Sequence, residues 1–146
     1  MTNDDNWTSE DFHLIAERAY ELHLQGKHAE ALTIICGLLA LDPENTYALD
    51  AAAALSLALG RPADVLHYTS TLLSLSPHHN DAIARRCEAH ILLGRFKDVR
   101  DDLEHLKRFD SKVLYTRMQI RLAAASRTPV SSSNTESFGQ LTPITR

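Results

Sequence analysis

Between Thr8 and Leu24 the apolar residues Phe12, Ile15, Ala16, Ala19 and Leu22 recur at three- and four-residue steps, as one face of a helix requires. Thr8 with Asp11 three residues on can cap that helix as an imperfect capping box. Gly26 follows, where the chain must leave the helix with a positive φ. The segment 28–41 sets Ala31, Leu32, Ile35, Leu38 and Leu39 inward, and Asp42-Pro43 stops it. The same alternation predicts helices over 45–58, 62–75, 79–92 and 96–109, with Pro62 suited to a first helical turn. A seventh, over 112–126, carries Val113, Leu114, Met118, Leu122 and Ala125 on one side and Arg117, Gln119 and Arg121 on the other.

These elements are copies of one unit. Gly26, Gly60 and Gly94 lie 34 residues apart, and the same step links Leu38, Leu72 and Leu106, then Leu41, Leu75 and Phe109. It also links Leu24, Ala58 and Leu92, then Ile15, Leu49 and Ile83, the small residues Ala19, Ala53 and Cys87, and the prolines Pro43 and Pro77. Such a period, with Gly ending one helix and Pro following the next, marks a helix–turn–helix repeat. The expected fold is an all-α solenoid of three such repeats over 12–45, 46–79 and 80–113. The helix over 112–126 closes it, apolar inward and polar outward, because the last repeat's face needs cover. The organisation is a flexible N-terminus over 1–8, the repeat domain over 9–126, and a tail over 127–146. Eight Ser or Thr among the tail's twenty residues leave little to bury, which reads as disorder.

Composition narrows the function. Leu (22) and Ala (18) far outnumber Val and Ile (11 together), a bias toward helix. A net charge of −4 supplies no basic field, so neither nucleic acid nor an anionic membrane surface is an expected partner. No apolar run approaches the 18 or so residues that span a bilayer, and the N-terminus is acidic rather than signal-like. Two Cys make no disulfide framework, so a cytoplasmic location is expected. The eight His fall at no ligand spacing: His78 and His79 are adjacent and diverge, while His23 and His28 straddle Gly26 and belong to different helices. Cys36 and Cys87 read as inert packing residues, and Asp101-Asp102 as part of a solvated face. With no phosphate loop or nucleophile elbow either, neither an enzyme nor a cofactor is expected.

Ile15, Ala19, Gly26, His28, Ala31 and Pro43 in repeat one resemble the tetratricopeptide repeat (TPR) pattern. So do Leu49, Ala53, Gly60 and Pro77 in repeat two, and Ile83, Cys87, Gly94, Phe96 and Val99 in repeat three. Pro62 and Ser111 depart from it. Within that family, three repeats plus a cap, with the stretches Gln25–Ala31 and Cys87–Gly94, are similar to bacterial type III secretion chaperones for translocator proteins (class II). The resemblance implies a right-handed superhelix whose first helices line a concave groove that binds a protein or extended peptide segment. It places His13, Ala16, Tyr20 and His23 of repeat one on that face, with Tyr47, Asp50, Ala54 and Leu57 of repeat two. Repeat three contributes Asp81, Ala84, Glu88 and Ile91. The expected function is a non-catalytic adaptor or chaperone, and pairing with a second copy stays open. The alternative is a structural subunit that packs into a larger complex through its convex face or capping helix.

Overall fold

The computed structural model describes residues 7–109 and 111–127. They form seven helices: α1 (Ser9–Leu24), α2 (His28–Leu41), α3 (Thr46–Ala58), α4 (Pro62–Leu75), α5 (Asn80–Leu92), α6 (Phe96–Arg108) and α7 (Lys112–Arg127). Consecutive helices pack on one another through turns of a few residues, so α1/α2, α3/α4 and α5/α6 are hairpins stacked in sequence order. Among the described residues there is no strand, and no helix is long and apolar enough to cross a membrane. Arg127, expected in the tail, belongs to α7, and Thr8, expected in the flexible N-terminus, caps α1. The rest of the expected tail and of the N-terminus, apart from Trp7, lies outside the described residues.

Local chemistry sets each helix end. The box at α1 is complete: Thr8 Oγ1 accepts from the Asp11 amide at 3.1 Å, and Asp11 Oδ2 accepts from the Thr8 amide at 3.0 Å. Asn45 and His79 cap α3 and α5 through the side-chain acceptor alone, His79 Nδ1 accepting from the Ala82 amide at 3.2 Å. The first helix of every repeat ends in a Schellman turn. Lys27, Arg61 and Arg95 donate to Leu22, Ser56 and His90 at 2.8–2.9 Å, with Gly26, Gly60 and Gly94 at φ of 69–77°. Gly60→Ala is therefore expected to destabilise the fold by about 1 kcal/mol, the strain of a Cβ in the left-handed region. Gly37 lies inside α2, where an added Cβ meets nothing within 4 Å. Gly37→Ala should instead stabilise by about 0.5–1 kcal/mol, and chemical denaturation of both variants checks the opposite signs.

The core has two parts. Ala16, Ala19, Leu22, Ile35, Leu38 and Leu55 belong to a cluster built by α1, α2 and α3. Leu72, Ile83, Val99, Leu106 and Met118 belong to a second, built mainly by α4 to α7. Leu39 and Tyr68 pack against both.

Three expectations fail here, each through tertiary packing. Cys36 is exposed rather than buried, its Sγ 3.5 Å from the Tyr68 hydroxyl. Val113 is 79% exposed, because the inward stripe of α7 runs through Leu114, Tyr115, Met118, Leu122 and Ala125. Asp102 is not on a solvated face: it is 2% exposed and held by a guanidinium from α5.

Candidate functional site

Tyr20 and His23 of α1 and Tyr47, Asp50 and Ala54 of α3 come together in one cleft of about 250 Å³. Ala51 and Leu55 help to line it, and Arg85 of α5 closes one side. A second hollow, about 240 Å³, adjoins it between Phe12, His13, Ala16 and Glu17, with the same two tyrosines on its wall. Tyr20 and Tyr47 are about half exposed, at 56% and 51%. Phe12 meets the Tyr47 ring edge-on, centroids 6.4 Å apart, which holds that ring in place. At Ala54 the missing bulk is what leaves space between the helices. Apolar walls with aromatic rims suit side chains of an extended chain better than a small polar ligand.

The cleft is electrostatically quiet. Asp50 is ion-paired with Arg85, so its carboxylate carries its own counter-ion, and the bond ties α3 to α5. His23 does not stand alone, as its place in the sequence suggested. The Schellman turn at Gly26 brings its Nδ1 to 3.1 Å from His28 Nδ1, one ring donating and the other accepting. That contact fixes the His23 ring at the cleft wall.

The other expected groove positions part company. Leu57 is half-buried and Asp81 exposed, and neither lines these two hollows. Ala84 and Ile91 are buried, at 1% and 8% exposure, in the cluster that contains Met118 of α7. Glu88 binds Arg121 of α7 at 2.6 Å. Helix α7 packs more extensively on α5 than on α6. Repeat three therefore spends most of its share of the face on the cap, leaving the open part to α1 and α3.

Sequence reasoning missed Phe12, Glu17, Ala51 and Arg85. Arg85 had a usable signal, a cation one repeat plus one residue beyond an isolated groove carboxylate, Asp50.

A second polar cluster sits between α5 and α6. Arg86 donates to Asp102 through Nε at 3.1 Å and Nη2 at 2.5 Å, and His90 Nε2 lies 3.9 Å from Asp102 Oδ2. Burial pushes the Asp102 carboxyl above its ordinary value, an effect that the Arg86 hydrogen bond and charge oppose. Burial likewise pushes His90 down and raises the neighbouring Cys87 thiol to about 12. A thiol protonated at neutral pH is no nucleophile, and this cluster ties two helices together. Among the described residues no group of three or more His, Cys, Asp or Glu is placed to hold a metal ion.

Compared by sequence, the chain matches no family model and no curated protein. By structure it is similar to the type III secretion translocator chaperone SycD of Yersinia enterocolitica, with a TM-score of 0.73 and 18% identity over 82% of this chain and 86% of that one. PcrH of Pseudomonas aeruginosa, in complex with the chaperone binding region of PopD, gives a TM-score of 0.73 at 16% identity over 82% and 94% of the two chains. The first TPR domain of Spaghetti, bound to an HSP90 peptide, gives 0.71 at 19% identity over 82% and 94%. The fold is an all-α TPR solenoid.

Proposed function

We propose that this protein is a non-catalytic adaptor or chaperone that holds an extended segment of a partner protein against α1 and α3, and that the partner is a translocator of a type III secretion system. The observation that carries the reading is the pair of adjoining hollows sharing Tyr20 and Tyr47, floored by small residues and walled by apolar ones. Similar solenoids have been captured with peptide segments bound, including SycD with a peptide of the translocator YopD. The chemistry favours a segment with apolar side chains over an acidic C-terminus. Carboxylate capture needs free donors and positive charge, whereas Ala16, Tyr20, Asp50, Ala54, Ala84 and Glu88, on the expected groove face of α1, α3 and α5, supply no cation. Arg85 is already committed to Asp50.

Tyr20→Ala and Tyr47→Ala are each expected to weaken binding of a translocator-derived peptide. Loss of an aromatic anchor costs about 2 kcal/mol, roughly thirtyfold in affinity. Both side chains are half exposed, so the melting temperature should hardly move. Fluorescence anisotropy with labelled translocator and acidic C-terminal peptides reads the result, with Leu57→Glu as a neighbouring control. Unchanged binding in both tyrosine variants, or tight binding of the acidic peptide, would overturn the reading. The alternative, docking into a larger complex through the cap, draws on the exposed Val113 and Ile120 of α7. Loss of partner capture on Arg117→Ala with both tyrosine variants intact would favour it.

A further inference from the structure

The two ends of the solenoid carry stripes of equal step and opposite charge. On α1, Glu10, Leu14, Glu17, Glu21 and Leu24 follow alternating four- and three-residue steps along one face, and all five are exposed. Leu14 and Leu24 are 63% and 67% exposed. On α7, Val113, Arg117, Ile120, Ala124 and Arg127 follow the same steps, again all exposed, with Ile120 at 65%. Each stripe lies opposite the face its helix turns to the core, Ala16, Ala19 and Leu22 in one case and Met118, Leu122 and Ala125 in the other.

The charges are segregated. Helix α1 bears the carboxylates Glu10, Asp11, Glu17 and Glu21 against a single cation, Arg18, which is itself paired with Glu21 at 3.1 Å. Helix α7 bears Lys112, Arg117, Arg121 and Arg127 and no carboxylate.

We propose that these faces are the two halves of a head-to-tail interface between copies of this chain, α7 of one copy docking on α1 of the next. Charge selects this pairing. Two α1 faces would set carboxylates against carboxylates, and two α7 faces cations against cations, whereas α7 on α1 places Arg117 and Arg127 among Glu10, Glu17 and Glu21. Equal step lets Leu14 and Leu24 share a seam with Val113 and Ile120, with the carboxylates of one stripe interleaved opposite the cations of the other. A solenoid's stability is a sum over neighbouring contacts, and an apolar terminal face continues that sum into a second molecule. This accounts for the exposure of Val113 and Ile120 among the polar residues on the outer side of the cap. A heterologous interface leaves one free face at each end, so assembly grows with concentration instead of stopping at a pair.

Sedimentation velocity on the full chain tests it. The average mass is expected to rise beyond that of a dimer with increasing concentration and to fall toward monomer in about 0.5 M salt, as screening removes the charge attraction. Ile120→Glu removes one face and Leu14→Arg the other, so each variant alone should stay monomeric. Mixed in equal amounts they should form a one-to-one complex that grows no further, since each supplies the face the other lacks. Circular dichroism should show both variants folded, the two sites being exposed. A wild-type chain that stays monomeric overturns the proposal and frees the faces for a foreign partner. So does a dimer that survives in either variant alone, which would mean an interface of like faces, or a mixture that fails to pair.

Discussion

Leu72→Ala is expected to lower unfolding stability by about 2–5 kcal/mol, the transfer and cavity cost of deleting a fully enclosed Leu side chain. Leu72 is 0% exposed and lies in the cluster that α3, α4, α5, α6 and α7 build jointly. A side chain enclosed this completely leaves a gap that its surroundings fill only in part. A domain of this size has only about 5–15 kcal/mol in total, so the loss is a large share of it. Repeat contacts are nearest-neighbour, which means the damage should reach α3 and α5, which pack on α4, and α7 through α5. Urea denaturation followed by circular dichroism measures the shift. A companion Leu38→Ala, in the cluster of α1 to α3, gives the matched cost at the other end.

Removing the guanidinium from Asp102 should be comparably severe, with a dependence on pH that a cavity does not show. Arg86→Met leaves a carboxylate 2% exposed without its main partner, and breaking a buried pair from one side costs about 3–5 kcal/mol. Burial already raises the Asp102 carboxyl from 3.8, while the Arg86 hydrogen bond and charge hold it down, so their loss raises it further. A raised folded-state pKa means the native protein binds the proton more tightly than the unfolded chain. The stability linked to that proton is complete below 3.8 and is lost as pH rises through the folded value. The deficit of Arg86→Met relative to wild type is therefore expected to widen from about pH 4.5 to about pH 8. Urea midpoints at the two pH values check this, and a deficit that narrows would contradict it. Arg86→Met with Asp102→Leu should recover much of the loss, because two apolar side chains carry no desolvation penalty.

The helices were legible because period, cap and glycine agreed at every boundary. The repeat register was less informative than it looked. Leu38, Leu72 and Leu106 are at most 1% exposed, yet Leu41, Leu75 and Phe109 share the same 34-residue step and are 40–53% exposed. Spacing records that a position recurs, while burial depends on whether a neighbouring helix arrives there. Asp102 was misread for the same reason, since its partner Arg86 lies sixteen residues back on another helix. On α1 and α3 the register places His13, Ala16, Tyr20, His23, Tyr47, Asp50 and Ala54 at the two hollows, though not Leu57. On α5 it fails. Ala84, Glu88 and Ile91 hold groove register, but the docking of α7 settles their surroundings, and no local pattern encodes that docking. His23 and His28 show the converse, a contact made by a turn whose glycine was evident but whose geometry was not.

The docking of α7 on α5 also turns the concave surface into a ruler. With α5 given over largely to the cap, the open face is two helices wide, α1 and α3, roughly 20 Å for two helices each about 10 Å across with their side chains. An extended chain advances about 3.3 Å per residue, so on the proposed reading a segment laid across those two helices would place about six residues on them. A footprint that short would read two or three alternate side chains and ignore the sequence beyond them. Recognition on this scale would be blind to the fold of the rest of the partner, and a single short stretch grafted onto an unrelated protein would suffice to recruit it.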